Sequence, residues 1–101
     1  MPGMIVEKIV KDYDSVGAIV EQWRPAKCAA LEVELVELRG RELERAKLHF
    51  GRATHAIRLP IVLGLVAGMR GRIGDLVFEF GAVLDTAPTM EIFAVETSGA
   101  S

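Results

Sequence analysis

The side chains best suited to bind a ligand are cations in the middle of the chain. Residues 39–58 carry six Arg or Lys side chains against two Glu, a net charge of +4, whereas residues 1–38 and 59–101 each have a net charge of −3. A local excess of guanidinium and ammonium groups is typical of a surface that faces phosphates. The alternative is a solvated face on which Glu37, Glu42 and Glu44 neutralise the cations, and the sequence does not decide between the two.

Catalytic chemistry has little support in the residue pattern. His49 and His55 are six residues apart, which separates them by about 20 Å on a strand, too far to share a metal ion. No serine or cysteine stands in the order with histidine, or beside the glycine elbow, that activates a nucleophile. Gly64, Gly68 and Gly71 do not follow a strand as a phosphate-binding loop does. We therefore predict that the protein is not an enzyme and uses no metal and no cofactor.

The composition predicts a small domain that associates with another chain. The sequence has 101 residues, of which 50% are hydrophobic. This length suits one domain, whose modest core leaves apolar side chains on the surface. We therefore expect a homodimer, or a heterodimer with a related chain. The absence of asparagine, the single glutamine and the eight arginines against four lysines indicate a thermophilic source.

Three features predict a cytoplasmic protein without membrane contact. Cys28 is the single cysteine, so an intrachain disulfide is impossible. Residues 1–14 lack the apolar segment of a signal peptide. The longest apolar run, residues 59–69, has eleven residues, fewer than the roughly 20 that a membrane-spanning helix needs.

The first half of the chain leaves two secondary-structure assignments open. Residues 15–22 fit a short helix or a strand equally well. For residues 25–40 we favour a helix, because Pro25 suits a first helical turn and Gly40 suits a left-handed helix end. The alternative is a strand, since Val33 and Leu35 alternate with glutamates.

The second half gives a clearer order of elements. Residues 43–50 alternate between apolar and basic side chains, which predicts a strand with a basic outer face. Residues 54–70 are apolar nearly all round and predict a second helix, which Pro60 either begins or kinks. Residues 73–84 and 90–97 predict two strands joined by a turn over Asp85–Pro88. The predicted order is βαβαββ.

This order of parts resembles the Alba family of small archaeal chromatin and RNA-binding proteins. The resemblance depends on Arg24-Pro25 before the first helix, on Gly51-Arg52-Ala53 before the second, and on the closing hairpin. It implies an α+β fold, an Alba-like two-layer sandwich in which a small mixed sheet packs on two helices. It covers a single domain at residues 16–97, which leaves residues 1–15 as an N-terminal extension and residues 98–101 as a C-terminal tail.

The resemblance also implies a function and a site. The family's nucleic-acid-binding turns fall on Trp23-Arg24 and on Phe50-Gly51-Arg52, where two arginines keep the charge and two aromatic residues replace basic ones. Arginine beside an aromatic ring suits phosphate contact and stacking on unpaired bases, although the aromatic residues suit packing or a dimer contact equally well. We therefore expect a small dimer that binds RNA or DNA weakly and with little sequence preference. The predicted site comprises Trp23, Arg24, Lys27, Arg45, Lys47, Phe50 and Arg52.

A second hypothesis comes from the turn at Asp85–Pro88. This turn is short and acidic, whereas the corresponding Alba loop is commonly long and basic. According to this hypothesis, the chain is a structural subunit that does not bind nucleic acid. It dimerises with a basic paralogue or packs in a ribonucleoprotein.

Overall fold

One antiparallel β-sheet makes up most of the fold. The computed structural model describes residues 3–25, 31–62 and 64–97. Within these ranges there is one helix, α1 (Gly40–His49). The strands are β1 (Gly3–Tyr13), β2 (Ile19–Pro25), β3 (Leu31–Glu32), β4 (Glu34–Glu37), β5 (His55–Pro60), β6 (Arg70–Ile73), β7 (Leu76–Thr86) and β8 (Thr89–Glu96).

The sheet curls so that its two ends approach each other. Seven strands follow the order β2-β1-β6-β7-β8-β5-β4, and β3 pairs with β1. In β3, Glu32 pairs with Gly3 of β1. Val33 is the one residue between β3 and β4, and β4 pairs with β5. The β3–β4 segment therefore links β1 to β5 and encloses the inner face of the sheet.

Alternation along the strands fills this inner face with apolar side chains. Phe78 and Phe80 of β7 and Ile92 of β8 are almost fully buried there. The inner core consists of Met4, Val6, Val33, Ile57, Leu59, Leu65, Ile73, Phe78, Phe80, Met90, Ile92 and Ala94.

A second, smaller core lies on the outer face, beneath α1. Ala46 of the helix packs with Ala56 of β5 and Phe93 of β8. Leu43, Ala46 and Phe50 recur at helical spacing on one face, as expected for a helix that covers a sheet. The outer core is completed by Leu38 and Ala53, with Val36, Leu43, Phe50, Ala82 and Leu84 against it.

Gly81 allows β7 to contribute to both cores. Phe80 pairs with Ala94 and Ala82 pairs with Phe93, so Gly81 is an extra residue in the ladder between them. Such a bulge shifts the alternation of a strand by one residue. Before it, Phe80 points to the inner core, and after it Ala82 points to the outer core. The ring of Phe50 lies directly on Gly81, where a Cβ atom has no room.

The expected Alba-like α+β sandwich is wrong. The described residues hold one short helix, and every strand pair in them is antiparallel. The second predicted helix, residues 54–70, is β5 and the loop after it, and Pro60 is the last residue of β5. Ala56 and Ile57 are both buried because α1 covers one face of β5 and the inner core covers the other. A strand buried on both faces loses the alternation that would distinguish it from a helix.

The secondary structure predicted for the two segments that flank Gly40 is also wrong. Residues 31–37 form β3 and β4 rather than a helix, and Val33 and Leu35 face the inner core as the strand alternative requires. Cys28 lies outside the described residues. Gly40 has the expected positive φ of 57°, but it opens α1 instead of ending a helix. Residues 43–50, predicted to be a strand, lie in α1 and its C-cap.

The closing hairpin lies where the sequence predicts it, but with other bounds: β7 begins at Leu76 rather than at residue 73 and extends to Thr86, so Ala87 and Pro88 join it to β8. Asp85 Oδ1 accepts a hydrogen bond of 3.1 Å from the backbone N–H of Ala87, the usual role of aspartate in a turn. Residues 3–13, which the sequence assigns to an extension, form β1. In the described part of the chain, no helix has the length and apolar character needed to cross a bilayer.

We expect Gly81→Ala to lower the free energy of unfolding by about 1–3 kcal/mol, because the new methyl group must displace the ring of Phe50. Thermal denaturation followed by circular dichroism measures this change. Gly51→Ala is the matched control, because a Cβ atom at Gly51 meets no atom within 4 Å. Equal melting temperatures for the two variants would contradict the proposed contact.

Candidate functional site

The β1–β2 hairpin extends away from the rest of the sheet. Strand β6 pairs with β1 from Ile5 to Glu7, and beyond Glu7 the one neighbour of β1 among the described residues is β2. We call residues 8–24 the arm. It contributes to an elongated molecule with principal extents of 50 × 25 × 23 Å. An isolated two-stranded hairpin is at best marginally stable in water, so the arm is the part of the fold with most to gain from a partner.

The turn at the end of the arm is held by Asp14. Its Oδ1 accepts hydrogen bonds of 2.9 Å from the backbone N–H groups of Val16 and Ala18. The backbone N–H of Asp14 also donates to the carbonyl of Ala18 at 2.9 Å. Gly17 completes the turn with a φ of 84°, a conformation that glycine adopts without strain.

One face of the arm and its root carries a row of exposed apolar side chains, with Glu7 and Lys11 between them on β1. Alternation places every second residue of β1 on the same outward face, and the register sets Ile9 opposite Trp23 and Tyr13 opposite Ile19. Tyr13 is 72% exposed, Ile19 64%, Ile5 52% and Ile9 42%. Single exposed apolar residues are ordinary, but a contiguous patch of them marks an interaction surface. We call Ile5, Ile9, Tyr13, Ile19 and Trp23 the outer stripe.

Charges at the root of the outer stripe are paired. The Glu7 carboxylate accepts a hydrogen bond of 3.0 Å from Arg70 Nε and lies 3.3 Å from Arg72 Nε. The guanidinium of Arg70 also lies 4.2 Å from the ring centroid of Trp23, a cation–π contact. Trp23 is therefore held in place by Arg70, with one ring face directed at a cation of its own chain.

The predicted pair Trp23-Arg24 does not act as a unit. The two residues are neighbours on β2, so their side chains leave the strand on opposite faces. Arg24 donates to Gln22 at 3.2 Å and lies 3.8 Å from Asp12 on the face opposite the outer stripe. Lys27, the third predicted residue of this turn, lies outside the described residues.

Arg45 of α1 is engaged in an ion cluster on the sheet. It lies 3.2 Å from the carboxylate of Glu91, whose side chain is buried, and 5.7 Å from the ring centroid of Phe93. Arg58 Nε donates to the same carboxylate at 2.9 Å. The hydrogen bond to Glu91 raises the pKa of Arg58, and burial offsets part of the rise. The cluster holds α1 against β5 and β8, because Arg45 and Arg58 both pair with the buried carboxylate of Glu91 and compensate its charge.

The other predicted residues lie near the C-terminal end of α1. Lys47 and Arg52 are exposed, and neither has an ion pair within the described part of the chain. Phe50 is half-buried on Gly81, which is the packing role that the sequence left open for it. The structure thus places Arg45, Lys47, Phe50 and Arg52 on or just after α1, while Trp23 and Arg24 lie on the edge strand β2.

An apolar cavity of about 270 Å³ opens near the other end of β1. Leu59 and Pro60 form its apolar wall. A pair between Glu34 and Arg58, 3.8 Å apart, lies at its rim. Since Glu32 is paired with Gly3, the cavity lies beside the start of β1, ten residues before Tyr13. The cavity is lined by Glu32, Glu34, Arg58, Leu59, Pro60 and Thr89.

The sequence pattern of residues 3–13 contains the signal for the outer stripe. Ile5, Ile9 and Tyr13 stand four residues apart with charged residues between them, so a strand places all three on one face. The prediction of an N-terminal extension makes no use of this spacing of apolar residues. Across residues 3–25, 31–62 and 64–97, no group of three or more His, Cys, Asp or Glu side chains is arranged to hold a metal ion.

No protein-family model matches the chain, and no curated protein matches it. Its fold is similar to the solution structure of protein SF1141 from Shigella flexneri 2a, with a TM-score of 0.79 and 17% sequence identity. The match covers 95% of this chain and 91% of that one. At this identity the likeness concerns the fold alone. The Alba resemblance is therefore wrong, and the archaeal assignment drawn from it loses its basis. The chain has an antiparallel sheet fold similar to that of this Shigella protein.

Proposed function

We propose that the protein is a structural subunit without catalytic activity, which assembles with further copies of itself through the outer stripe. The observation that carries this proposal is the exposure of four large apolar side chains on one face, three on the arm (Ile9, Tyr13 and Ile19) and Ile5 at its root. Covering an exposed isoleucine contributes about 1.5–3 kcal/mol, so a partner on this face would stabilise both the assembly and the arm.

The charges of the arm favour a protein partner over a nucleic acid. Within residues 8–24, three basic side chains stand against three acidic ones, so the arm has no net attraction for phosphates. On the outer face, Lys11 lies directly opposite Glu21 in the register. An apolar strip interrupted by opposite charges is typical of protein interfaces, whose centres are depleted of unpaired charge.

The charge distribution further favours a second copy of this chain as the partner. On the outer face of β1, β2 and β6, the cations Lys11, Arg70 and Arg72 outnumber the carboxylates Glu7 and Glu21. Around the cavity end the balance is reversed, because Glu32, Glu34 and Glu91 outnumber Arg45 and Arg58. The arm itself is neutral, but the outer face of these three strands is slightly positive and can meet a slightly negative surface of the next copy. Homo-oligomers are also the commonest assemblies of soluble proteins.

This proposal retains the association that the composition predicts, but a basic paralogue is no longer the partner. The dimer predicted from the sequence is the smallest form that such an assembly takes. The cytoplasmic location and the thermophilic source stay predictions.

We expect the double variant Ile9→Asp, Ile19→Asp to be monomeric at concentrations where the wild-type protein self-associates, with association weakened at least tenfold. Two charges on the outer stripe would have to be buried without partners. Sedimentation velocity over a wide concentration range measures the change. Trp23 is the single tryptophan and lies on the stripe, so its emission should shift to shorter wavelength as the wild-type protein associates.

Leu48→Asp is the matched control, because Leu48 is 85% exposed on α1, away from the arm. It should associate like the wild type. A wild-type protein that stays monomeric at every concentration, or a Leu48 variant that dissociates as fully as the arm variant, would exclude the outer stripe as the assembly surface.

Nucleic-acid binding is the second candidate function, because Lys47 and Arg52 are exposed near the end of α1 without an ion pair among the described residues. Among the predicted site residues that the structure describes, these are the cations without an ion pair. With a net charge of −2 for the whole chain, any such binding is weak and depends on counterion release.

If the candidate cations bind phosphates, the Lys47→Ala, Arg52→Ala variant should bind single-stranded RNA and duplex DNA less tightly than the wild type. Its affinity should also depend less steeply on salt, by about one unit of slope for each lost phosphate contact. Mobility-shift titrations at low and moderate salt measure both quantities. Superimposable curves for the two proteins, or no shift by the wild type at low salt, would exclude this function.

A further inference from the structure

We infer that the cavity beside the start of β1 receives Tyr13 from the arm of a second copy, so that the copies join head to tail. This inference rests on the proposed function and names the surface to which the arm binds. It connects an exposed tyrosine at one end of the chain's fold with a cavity of partly apolar lining at the other.

The chemistry of Tyr13 fits the cavity. Tyr13 is the single tyrosine of the chain and is 72% exposed near the end of the arm. Its ring is apolar and its hydroxyl donates a hydrogen bond, a combination that is enriched at interface centres. The cavity offers an apolar wall at Leu59 and Pro60, with the carboxylates of Glu32 and Glu34 at its rim. The ring would pack on the wall while the hydroxyl donates to one of these carboxylates.

The charges around the two features also match. Lys11 is two residues before Tyr13 and therefore on the same face of β1. With the ring of Tyr13 in the cavity, the ammonium group of Lys11 would lie towards the acidic rim. Glu32 and Glu34 are both exposed, and Arg58 is the one cation among the residues that line the cavity.

The geometry requires that Tyr13 enters the cavity of another copy. Glu32, at the cavity, pairs with Gly3 of β1. Tyr13 is ten residues further along the same strand, a distance of about 33 Å at roughly 3.3 Å per residue. The arm cannot fold back over that distance without breaking the pairing of β1 with β6. Each copy therefore has one donor end and one acceptor end.

A head-to-tail contact that lacks two-fold symmetry does not close within a dimer. Each added copy leaves one arm and one cavity unoccupied, so the chain of copies grows until it closes into a ring or continues as a filament. This property separates the inference from an arm-to-arm dimer, in which two identical surfaces would satisfy each other.

A complementation experiment tests the inference. Tyr13→Ser removes the inserted ring and keeps the cavity, whereas Pro60→Glu places a charge on the apolar wall and keeps the arm. Both positions are exposed, so both variants should keep the wild-type melting temperature. We expect each variant alone to be monomeric in sedimentation velocity. An equimolar mixture should form a complex of one copy of each and no larger species, because one intact arm then meets one intact cavity.

Two further variants make the experiment specific. Tyr13→Phe keeps the ring and loses the hydroxyl, so we expect association about fivefold weaker than that of the wild type. Val66→Glu places the same charge as the cavity variant on another exposed apolar residue, and it should associate like the wild type.

The outcomes separate this inference from the proposed function. If Pro60→Glu associates like the wild type while Tyr13→Ser is monomeric, the arm binds elsewhere, and the inference is overturned while the proposed function stands. A mixture of the two monomeric variants that stays monomeric also overturns the inference. A wild-type protein that never associates overturns both.

Discussion

The fold depends on the close approach of an aromatic ring to a strand that lacks a side chain at that point. Phe50 packs on Gly81 at the bulge where β7 changes the direction of its side chains. Without that shift, Ala82 and Leu84 would point into the same core as Phe78 and Phe80, and the outer face would lose its apolar contact with α1. One residue therefore lets a single sheet serve two cores, which is how so short a chain buries so much apolar surface with one helix in its described part.

The opposite side of the sheet lacks such a cover. Strands β5, β7 and β8 have packed side chains on both faces. In the arm, β1 pairs with β2 alone, and no helix of the described residues packs on either strand. The ion cluster at Glu91 and the contact of Arg70 with Trp23 show the same contrast. The first fastens α1 onto the sheet, while the second fixes an aromatic ring at the border of a surface that stays open.

The sequence predicted the hairpin of β7 and β8 because its turn chemistry is local: the Asp85 side chain accepts a hydrogen bond from the backbone N–H of Ala87. It did not predict β5, whose two buried faces hide the strand period, nor α1, whose apolar face depends on a sheet formed by distant strands. Gly40 shows the limit clearly: its left-handed backbone could be predicted, but not which side of it would be helical. The outer stripe was visible in the spacing of Ile5, Ile9 and Tyr13. Recognising this stripe from the sequence would have required knowing that residues 3–13 form a strand that pairs with a neighbouring strand.

The hydrogen bonds that Asp14 accepts have a further thermodynamic consequence. Because this side chain accepts hydrogen bonds from two backbone N–H groups of the turn, the end of the arm is already ordered before it meets another molecule. Immobilising a flexible loop opposes association, by about 0.5–1.5 kcal/mol for each side chain that becomes fixed. A pre-organised turn avoids part of that loss. An arm built in this way can therefore bind usefully through a contact area smaller than a disordered tail would need.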